Sequence, residues 1–183
     1  MKQSLTITVI LSLMAAVGLF SGCSEEFLFP DEINVQIDES GTITTNAEEV
    51  GRDLFSKKIV GCGWLPQSTR LIQDDGSIGN DDQHYYLTGG YPIPALFFDE
   101  TSMTSFTTYS GRNIYTSTPY KFENSSILYG KNSSIIVIEA SDNYFTCIQL
   151  FGIMNDKEVW MCTIYKKMTD KQLKEYWGSY SPT

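Results

Sequence analysis

Residue types capable of catalysis are few in this 183-residue chain, and histidine is the scarcest of them. His84, in the stretch DDQHYYL, is the single histidine. A histidine-based metal cluster is therefore excluded, and a Ser-His-Asp triad would need His84 beside both a serine and a carboxylate. A lone histidine in a strand-like stretch is more often an ordinary residue than a catalytic one. We predict that the protein is not an enzyme and has no catalytic residues.

Cysteine supplies three thiols beyond the N-terminal region, at Cys62, Cys147 and Cys162. Their spacing matches no zinc-binding pattern, and no basic residue adjoins Cys62 or Cys147 to activate it as a nucleophile. Cys147 and Cys162 lie in two strand-like runs on either side of Asn155-Asp156. A hairpin turn centred just before this dipeptide would place the two cysteines opposite each other. Alternatively, both are small buried apolar side chains.

Carboxylates cluster in the loop DDGSIGNDD, which contains Asp74, Asp75, Asp81 and Asp82. Ca²⁺ prefers oxygen ligands of this kind, but the spacing is not that of an EF-hand. The alternative is a solvated hairpin loop, and the sequence leaves the choice open. The stretch LTGGYP is not followed by a helix, so it is no phosphate-binding loop. We predict no cofactor and assign no metal ligands.

Acidic residues outnumber basic ones by 22 to 13, which gives a formal net charge of −9 at pH 7. A surface of this sign repels nucleic acid, and no basic stripe occurs along the chain. It also disfavours direct binding to anionic lipid headgroups. We therefore expect no nucleic-acid partner, and any membrane attachment has to be made by other means.

The first 22 residues have the organisation of a secretory signal. Lys2 precedes an uncharged apolar run from Leu5 to Phe20. As a helix this run would be about 24 Å long, which is short of the about 30 Å hydrocarbon core of a bilayer. A basic start, a short apolar stretch and small residues at its end are typical of a signal peptide.

The stretch Leu19-Phe20-Ser21-Gly22-Cys23 resembles the lipobox of bacterial lipoproteins. In that family the signal is cut before the cysteine, and the cysteine thiol carries a diacylglycerol. The resemblance implies that residues 1–22 are a lipoprotein signal peptide and that Cys23 is the lipid-attachment residue. The lipid would then hold the protein on a membrane, since each buried CH₂ contributes about 0.8 kcal/mol.

The residues that follow, Cys23-Ser24-Glu25-Glu26-Phe27, resemble the surface-export signal of Bacteroidota lipoproteins. This resemblance implies a protein anchored on the outer membrane and exposed at the cell surface; the alternative is the periplasmic face. Residues 24–49 contain eight carboxylates and neither lysine nor arginine. We predict an acidic tether over residues 23–45, with a short strand at 33–37.

Two helices are predicted at the ends of the domain that spans residues 46–183. Thr45 and Glu48 have the spacing of a capping box, which predicts a helix over residues 46–58. Thr169 and Gln172 form a second box, before a closing helix. In that helix three apolar residues share one face, which should pack on the outside of a sheet: Leu173, Tyr176 and Trp177.

Between these helices the chain alternates apolar and polar residues, with frequent turn residues, from Trp64 onward. The pattern predicts eight or nine short antiparallel strands in a barrel or a sandwich. Pro119 places its own strand at an edge or at a bulge, because proline cannot donate to a strand ladder.

This order of elements resembles that of the lipocalin-like, or calycin, barrels. The Gly-x-Trp signature of that family has its counterpart in Gly61-Cys62-Gly63-Trp64, spaced Gly-x-x-Trp. The resemblance implies a mainly β fold, an antiparallel up-and-down eight-stranded barrel with a short N-terminal helix and a C-terminal helix, in which Trp64 plugs one end. The alternative is a β-sandwich.

A barrel of this kind can hold one small ligand. The resemblance implies a non-enzymatic protein that binds a small hydrophobic molecule or a glycan. Aromatic residues in the strands either line such a site or fill the core, so no binding residue is assigned; the candidates are Tyr85, Tyr86, Phe97, Tyr109, Tyr115 and Trp160. The alternative is a protein-interaction module with a filled barrel, such as a peptidase inhibitor or an accessory of an outer-membrane complex.

Overall fold

The computed structural model describes residues 29–30, 33–38, 42–80, 93–109, 112–131, 133–154 and 156–178. Ten strands and two helices lie within these ranges. The strands are β1 (Val35–Ile37), β2 (Ile43–Thr45), β3 (Gly63–Leu71), β4 (Ala95–Phe98), β5 (Ser102–Tyr109), β6 (Arg112–Glu123), β7 (Ser126–Tyr129), β8 (Ser133–Ala140), β9 (Tyr144–Met154) and β10 (Lys157–Lys167). The helices are α1 (Arg52–Lys58) and α2 (Asp170–Trp177).

Strands β3 to β10 form a closed barrel in which each strand pairs antiparallel with the next one along the chain. β10 then returns to pair with β3, so that Thr163 lies opposite Thr69. This order is that of an up-and-down barrel and not that of a β-sandwich, whose connections cross between two sheets. The predicted antiparallel up-and-down eight-stranded barrel is therefore confirmed, including its two short helices. β1 and β2 form a separate two-stranded sheet.

The two ends of the barrel differ in what covers them. At the end called here the closed end, the turns after β4, β6 and β8 lie next to α1 and the residues that flank it. Val50 donates its backbone N–H to Ser125 Oγ at 2.8 Å, and Lys58 Nζ lies 2.6 Å from Asp142 Oδ1. The opposite end, called the open end, carries the connections after β3, β5, β7 and β9.

Helix α1 begins later than its predicted capping box. The prediction of a helix over residues 46–58 is wrong for its first turn and a half: the N-cap is Gly51, which makes no side-chain cap bond. Thr45 Oγ1 instead accepts a hydrogen bond from the N–H of Ala47. The N–H of Val50 is bonded to Ser125 Oγ in the turn after β6, and the helix begins only beyond Gly51.

The second predicted capping box is confirmed in α2. Thr169 accepts from the N–H of Gln172, and the Gln172 side chain accepts from the N–H of Thr169. Leu173 and Tyr176 pack on the outside of the barrel in a cluster with Phe106 and other apolar residues, as predicted for this face. The side chain of Trp177 lies outside the described residues.

Part of the predicted acidic tether lies against the barrel. The strand predicted at residues 33–37 is confirmed as β1. Phe29 and Val35 are buried, at 4% and 2% exposure, against the outward side chains of β8, β9 and β10. The guanidinium of Arg70 lies 4.2 Å from the centre of the Phe29 ring, a cation–π contact. From Phe29 onward the segment is therefore packed on the domain where it is described.

No described helix is both long enough and apolar enough to cross a membrane. Residues 1–28, which contain the predicted signal peptide and Cys23, lie outside the described ranges.

Candidate functional site

The closed half of the barrel interior is filled by aromatic rings. Trp64 is fully buried, as expected for a plug, and its Nε1–H donates to the carbonyl of Ile59 at 3.1 Å. Phe55 of α1 stacks on Phe122 with ring centroids 3.9 Å apart, and the edge of Trp64 meets Phe145 at 4.9 Å. Aromatic pairs in such geometries stabilise a core beyond their buried area. The rings therefore pack against one another across this half of the interior.

The inward faces of the strands become exposed towards the open end. In β6 the inward residues run from Phe122, 6% exposed, to Thr116, which is exposed, and Ile114, 47% exposed. In β9 they run from fully buried Phe145 to half-buried Phe151. Solvent therefore reaches the inward side chains near the strand ends, such as Ile114, whereas Gln149, Thr163 and Tyr165 below them are buried. The open half of the interior, from Tyr165 up to Ile114, is called here the chamber.

Polar side chains form the floor of the chamber. Gln149 Nε2 donates to Thr163 Oγ1 at 3.4 Å and to the Tyr165 hydroxyl at 3.5 Å. The Tyr165 hydroxyl donates to the carbonyl of Pro94 at 3.4 Å, and the hydroxyls of Thr69 and Thr163 lie 3.1 Å apart. Apart from the threonine pair, these distances are at the long limit for hydrogen bonds. The amide of Gln149 and the hydroxyl of Tyr165 can thus exchange these weak bonds for stronger bonds to a ligand.

The chamber floor is uncharged. Burial raises the pKa of the Tyr165 hydroxyl well above its usual value, and the neighbouring Cys147 thiol raises it further. Burial likewise raises the pKa values of Tyr129 and Cys147, whose side chains face the same interior. These groups stay protonated at neutral pH because a buried charge would lose its hydration. Such a site suits a neutral, largely apolar molecule with a hydrogen-bonding group at one end.

The walls around this floor are apolar. The inward side chains next to it are buried and belong to the cluster that fills the barrel: Ile93, Leu96, Ile127, Ile135, Val137 and Met161. Walls of this kind with a few convergent polar groups are typical of small-molecule sites.

A cleft of about 570 Å³ opens in the side of the barrel where β6 parts from β7 and β8. Pairing of β6 with β7 ends at Tyr120 and Tyr129, and the next residue of β6 is Pro119. Proline has no N–H to continue the ladder. The prediction that this strand lies at an edge or a bulge is wrong, because β6 pairs with both β5 and β7 in the closed barrel and Pro119 lies just beyond its pairing with β7. Tyr129 lines this cleft and also faces the interior, so the cleft borders the chamber.

Three of the candidate lining residues lie on the outer face of the barrel. Phe97 and Tyr115 pack beneath α2, and Trp160 packs beneath the N-terminal segment. Their assignment as lining candidates is therefore wrong, because two outside layers bury aromatic residues as well as the interior does. Tyr85, Tyr86 and His84, and the side chain of Tyr109, lie outside the described residues.

Cys147 and Cys162 lie on opposite faces of the sheet. Cys147 is opposite Thr163, and Cys162 is opposite Ile148. The hairpin pairs Met154 with Lys157, so its turn lies later than this pairing of thiols requires, and a bulge between Val159 and Trp160 then shifts the register by one residue. The hairpin geometry that would pair the two thiols is therefore wrong. Both are buried free thiols, inside the barrel and beneath the N-terminal segment respectively, as the alternative predicted. Cys62 is a third free thiol, half-buried.

The acidic loop is only partly described. Asp75 accepts hydrogen bonds from the N–H of Ser77 at 2.9 Å and from its hydroxyl at 2.6 Å. These bonds hold the pKa of Asp75 below its usual value. Asp81 and Asp82 lie outside the described ranges. Within those ranges no three His, Cys, Asp or Glu side chains are grouped to hold a metal ion.

The floor residues were not singled out from the sequence, although a signal exists for one of them. The stretch YFTCIQLFG places Phe145, Cys147, Gln149 and Phe151 on one face, so a single amide interrupts an apolar series. A buried polar side chain needs hydrogen-bond partners. Thr69, Thr163 and Tyr165 carry no comparable signal, because threonine and tyrosine are ordinary strand residues.

Comparisons with known proteins give structural likenesses only. No family model matches the chain, and no curated protein matches it significantly. Among solved structures, a bovine odorant-binding protein in complex with a selenium-containing odorant is 11% identical, with a TM-score of 0.40, over 72% of this chain and 83% of that one. Apocrustacyanin C1 is 11% identical, with a TM-score of 0.36, over 82% of this chain and 84% of that one. The barrel is defined by its own strand order and register.

Proposed function

We propose that the protein is a non-enzymatic binding protein whose chamber takes up a small, mainly hydrophobic molecule or a glycan. The observation that carries the proposal is the contrast between the two halves of the interior. The closed half is packed with aromatic rings, whereas the open half has apolar walls, exposed inward side chains and a floor of weakly bonded polar groups. Burial of the ligand's apolar surface would supply most of the affinity.

The matched variants Thr116→Trp and Ser117→Trp test this proposal. Both residues are exposed in β6, but Thr116 faces the chamber and Ser117 faces outward. The measurement is fluorescence of an apolar naphthylamine probe added to the full chain. We expect the wild type and Ser117→Trp to bind the probe and Thr116→Trp to lose binding. Equal binding by the two variants would contradict a site in the chamber.

The floor predicts a preference among ligands. Gln149→Leu should weaken binding of a long-chain alcohol by up to about tenfold and leave binding of the matching alkane unchanged, since one hydrogen bond contributes about 0.5–1.5 kcal/mol. The measurement is competition against the same probe.

We further propose that the chain is a lipoprotein anchored through Cys23 on the outer membrane and exposed at the cell surface. The support is the likeness of residues 19–23 to a lipobox and of residues 23–27 to a surface-export signal. Cys23→Ser should move the protein from the membrane fraction to the soluble fraction. Digestion by a protease added to intact cells separates the cell surface from the periplasmic face.

A second candidate function is a protein-interaction module. The packing of Phe55, Phe122, Trp64 and Phe145 favours it, because it leaves only part of the interior for a ligand. Absence of probe binding by the wild type, together with capture of one partner by crosslinking on cells, would support this function instead.

A further inference from the structure

The N-terminal segment forms a layer of its own on the outside of the barrel. Its described residues, 29–30, 33–38 and 42–47, are called here the strap. In the described part of the chain, β1 and β2 pair with each other and not with a barrel strand. The strap packs on an apolar patch of the outer face of β8, β9 and β10, which consists of Ile136, Ile138, Ile148, Trp160, Cys162 and Ile164. The strap and the barrel are therefore separate layers that share one apolar interface.

The joint between the strap and the barrel domain is narrow. The N–H of Val35 donates to the carbonyl of Gly76 at 2.8 Å, and Asn34 Nδ2 donates to the carbonyl of Asp75 at 3.2 Å. Gly76 lies in the hairpin that follows β3 and has a φ of +84°. A Cβ at this position would overlap the carbonyl oxygen of Val35. The strap lies this close to the hairpin because residue 76 is a glycine.

The charges at this joint oppose its closure. A groove of about 600 Å³ lies where the strap meets the barrel domain. The charged residues that line this groove are Asp38 of the strap and, on the barrel side, Asp74, Asp75, Lys157 and Glu158. Hydrogen bonds from Ser77 hold the pKa of Asp75 below its usual value, so Asp75 stays ionised at neutral pH. Four carboxylates therefore share the groove with one lysine, and like charges repel one another across the joint.

Arg70 is poorly accommodated beneath the strap. Its Cζ lies 4.2 Å from the centre of the Phe29 ring. The Nε atom of Arg70 is buried and has no hydrogen-bond partner among the described residues. A buried donor without a partner has lost its hydrogen bonds to water, which costs stability. Release of Phe29 would return water to this atom and so offset part of the apolar contact that is lost.

The far end of the segment is fixed independently of the strap. The N–H of Val50 donates to Ser125 Oγ at the closed end, so release of the strap would stop at Val50. With the strap in place, six residues join Cys23 to Phe29 and span at most about 20 Å. After release, twenty-seven residues join Cys23 to Val50 and span up to about 90 Å.

We infer that the strap is a releasable element, which leaves the barrel as one unit while the barrel stays closed and thereby lengthens the connection between Cys23 and the barrel. The lengthening rests on the proposed lipid anchor, whereas the separation of the strap from the barrel does not. In the resting protein the strap is closed and Cys162 beneath it is buried. Release would let an anchored barrel reach up to about 70 Å further from the membrane.

The matched variants Val35→Asp and Ile37→Asp test the separation. Both residues lie in β1, but Val35 is 2% exposed and Ile37 is 37% exposed. The full chain is treated with a thiol reagent at neutral pH, and the labelled residues are located by peptide mass spectrometry. Cleavage after Lys157 places Cys147, which is inside the barrel, and Cys162 on different peptides. We expect Val35→Asp to increase labelling of Cys162 severalfold and to leave Cys147 unlabelled, and Ile37→Asp to change neither.

A second pair of variants, Gly76→Ala and Gly130→Ala, tests the joint from the barrel side. Both glycines have a positive φ, so alanine strains both backbones. A Cβ meets the strap at Gly76, whereas at Gly130 it meets nothing within 4 Å. We expect labelling of Cys162 to increase for Gly76→Ala only.

Three outcomes would overturn the separation of the strap. The first is labelling of Cys147 together with Cys162 in Val35→Asp and Gly76→Ala, since the strap and the barrel would then unfold together. The second is no increase at Cys162 in either of these variants. The third is an equal increase at Cys162 in a variant and in its matched control.

Energy transfer to a membrane tests the lengthening. The lipidated full-length protein, with Cys62→Ser and Cys162→Ala, carries a fluorescent donor at Leu54→Cys, an exposed position in α1. Phosphatidylcholine vesicles that hold the protein contain an acceptor lipid. We expect energy transfer to fall when Val35→Asp is added and to stay unchanged when Ile37→Asp is added.

The outcomes of this measurement separate the lengthening from the anchor. Equal energy transfer for the two variants would overturn the lengthening. Protein that does not float with the vesicles would overturn the anchor, and the lengthening with it. In that case the thiol measurement still decides whether the strap separates from the barrel.

Discussion

The rings of Phe145 and Tyr165 stack face to face, with centroids 4.9 Å apart and planes 7° apart. The two residues lie opposite each other in β9 and β10. Phe145 also meets the edge of Trp64 on the closed side, whereas the hydroxyl of Tyr165 reaches Gln149 on the open side. This pair is therefore the boundary between the filled half of the interior and the chamber.

Replacement of Trp64 tests the plug. Trp64→Ala removes a fully buried side chain and its hydrogen bond to Ile59. We expect the free energy of unfolding to fall by about 3–5 kcal/mol, as large aromatic truncations in cores do. The measurement is urea unfolding, with Leu54→Ala in α1 as an exposed control. A loss below about 1 kcal/mol for Trp64→Ala would contradict its place in the plug.

The buried thiols should be inert and unpaired. Burial raises the pKa of Cys162 to about 12 and that of Cys147 well above its usual value. In a Cys62→Ser variant we expect no reaction with a thiol reagent at neutral pH until the protein is unfolded, because the thiolate is the reactive form. Mild oxidation of the folded protein should give no intramolecular disulfide, and mass spectrometry of unreduced peptides checks this. A Cys147–Cys162 crosslink would contradict the observed register.

Stability should depend on the ionisation of Tyr120 at high pH. Burial raises the pKa of Tyr120 to about 12, and the negative charges of Asp99 and Glu100 contribute. Folding thus favours the protonated phenol of Tyr120. Its contribution to the free energy of unfolding is complete below the unfolded-state pKa of about 10 and is lost as the pH rises through about 12. Between about pH 9 and about pH 11, the free energy of unfolding should fall by more for the wild type than for Tyr120→Phe. Equal falls would argue against the raised pKa.

The two capping boxes predicted from the sequence can be compared by one substitution in each, because only the second box forms in the structure. Gln172→Ala removes the side chain that accepts from the N–H of Thr169 at 2.9 Å. We expect a loss of about 0.5–1 kcal/mol, typical of a helix N-terminal contact. Glu48→Ala should change stability by less than about 0.5 kcal/mol, since α1 begins at Arg52 and no box forms there. Urea unfolding of both variants checks the difference.

The strands were predictable from the sequence because turns and alternation are local properties. The stretches SMTSFTTY and YFTCIQLFG both became strands, β5 and β9, in the predicted order. The faces were harder to predict. Phe97 and Trp160 lie on the outer face, yet α2 and the N-terminal segment bury this side as well. Apolar residues therefore occur on both faces, and alternation alone does not show which face is inside.

Register and helix boundaries depend on contacts that the local sequence does not contain. The bulge between Val159 and Trp160 changes which residue lies opposite Cys162, and no residue type in the turn predicts this bulge. Thr45 and Glu48 satisfy the spacing of a capping box, but a long-range bond from Val50 to Ser125 delays the helix. The chamber floor likewise joins Thr69 to Thr163, 94 residues away.

The pairing of β3 with β10 has a consequence for when the native structure can form. The first and last strands of the barrel close the ladder, and Phe29 and Val35 pack on β8 to β10 near the far end of the chain. Contacts this distant in sequence slow folding, because a long loop must close before they stabilise the structure. A ribosome that releases this chain from its N-terminus releases the closing strand, β10, after all the other strands. Until then the barrel cannot close, and the outer edge of β3 has no partner strand.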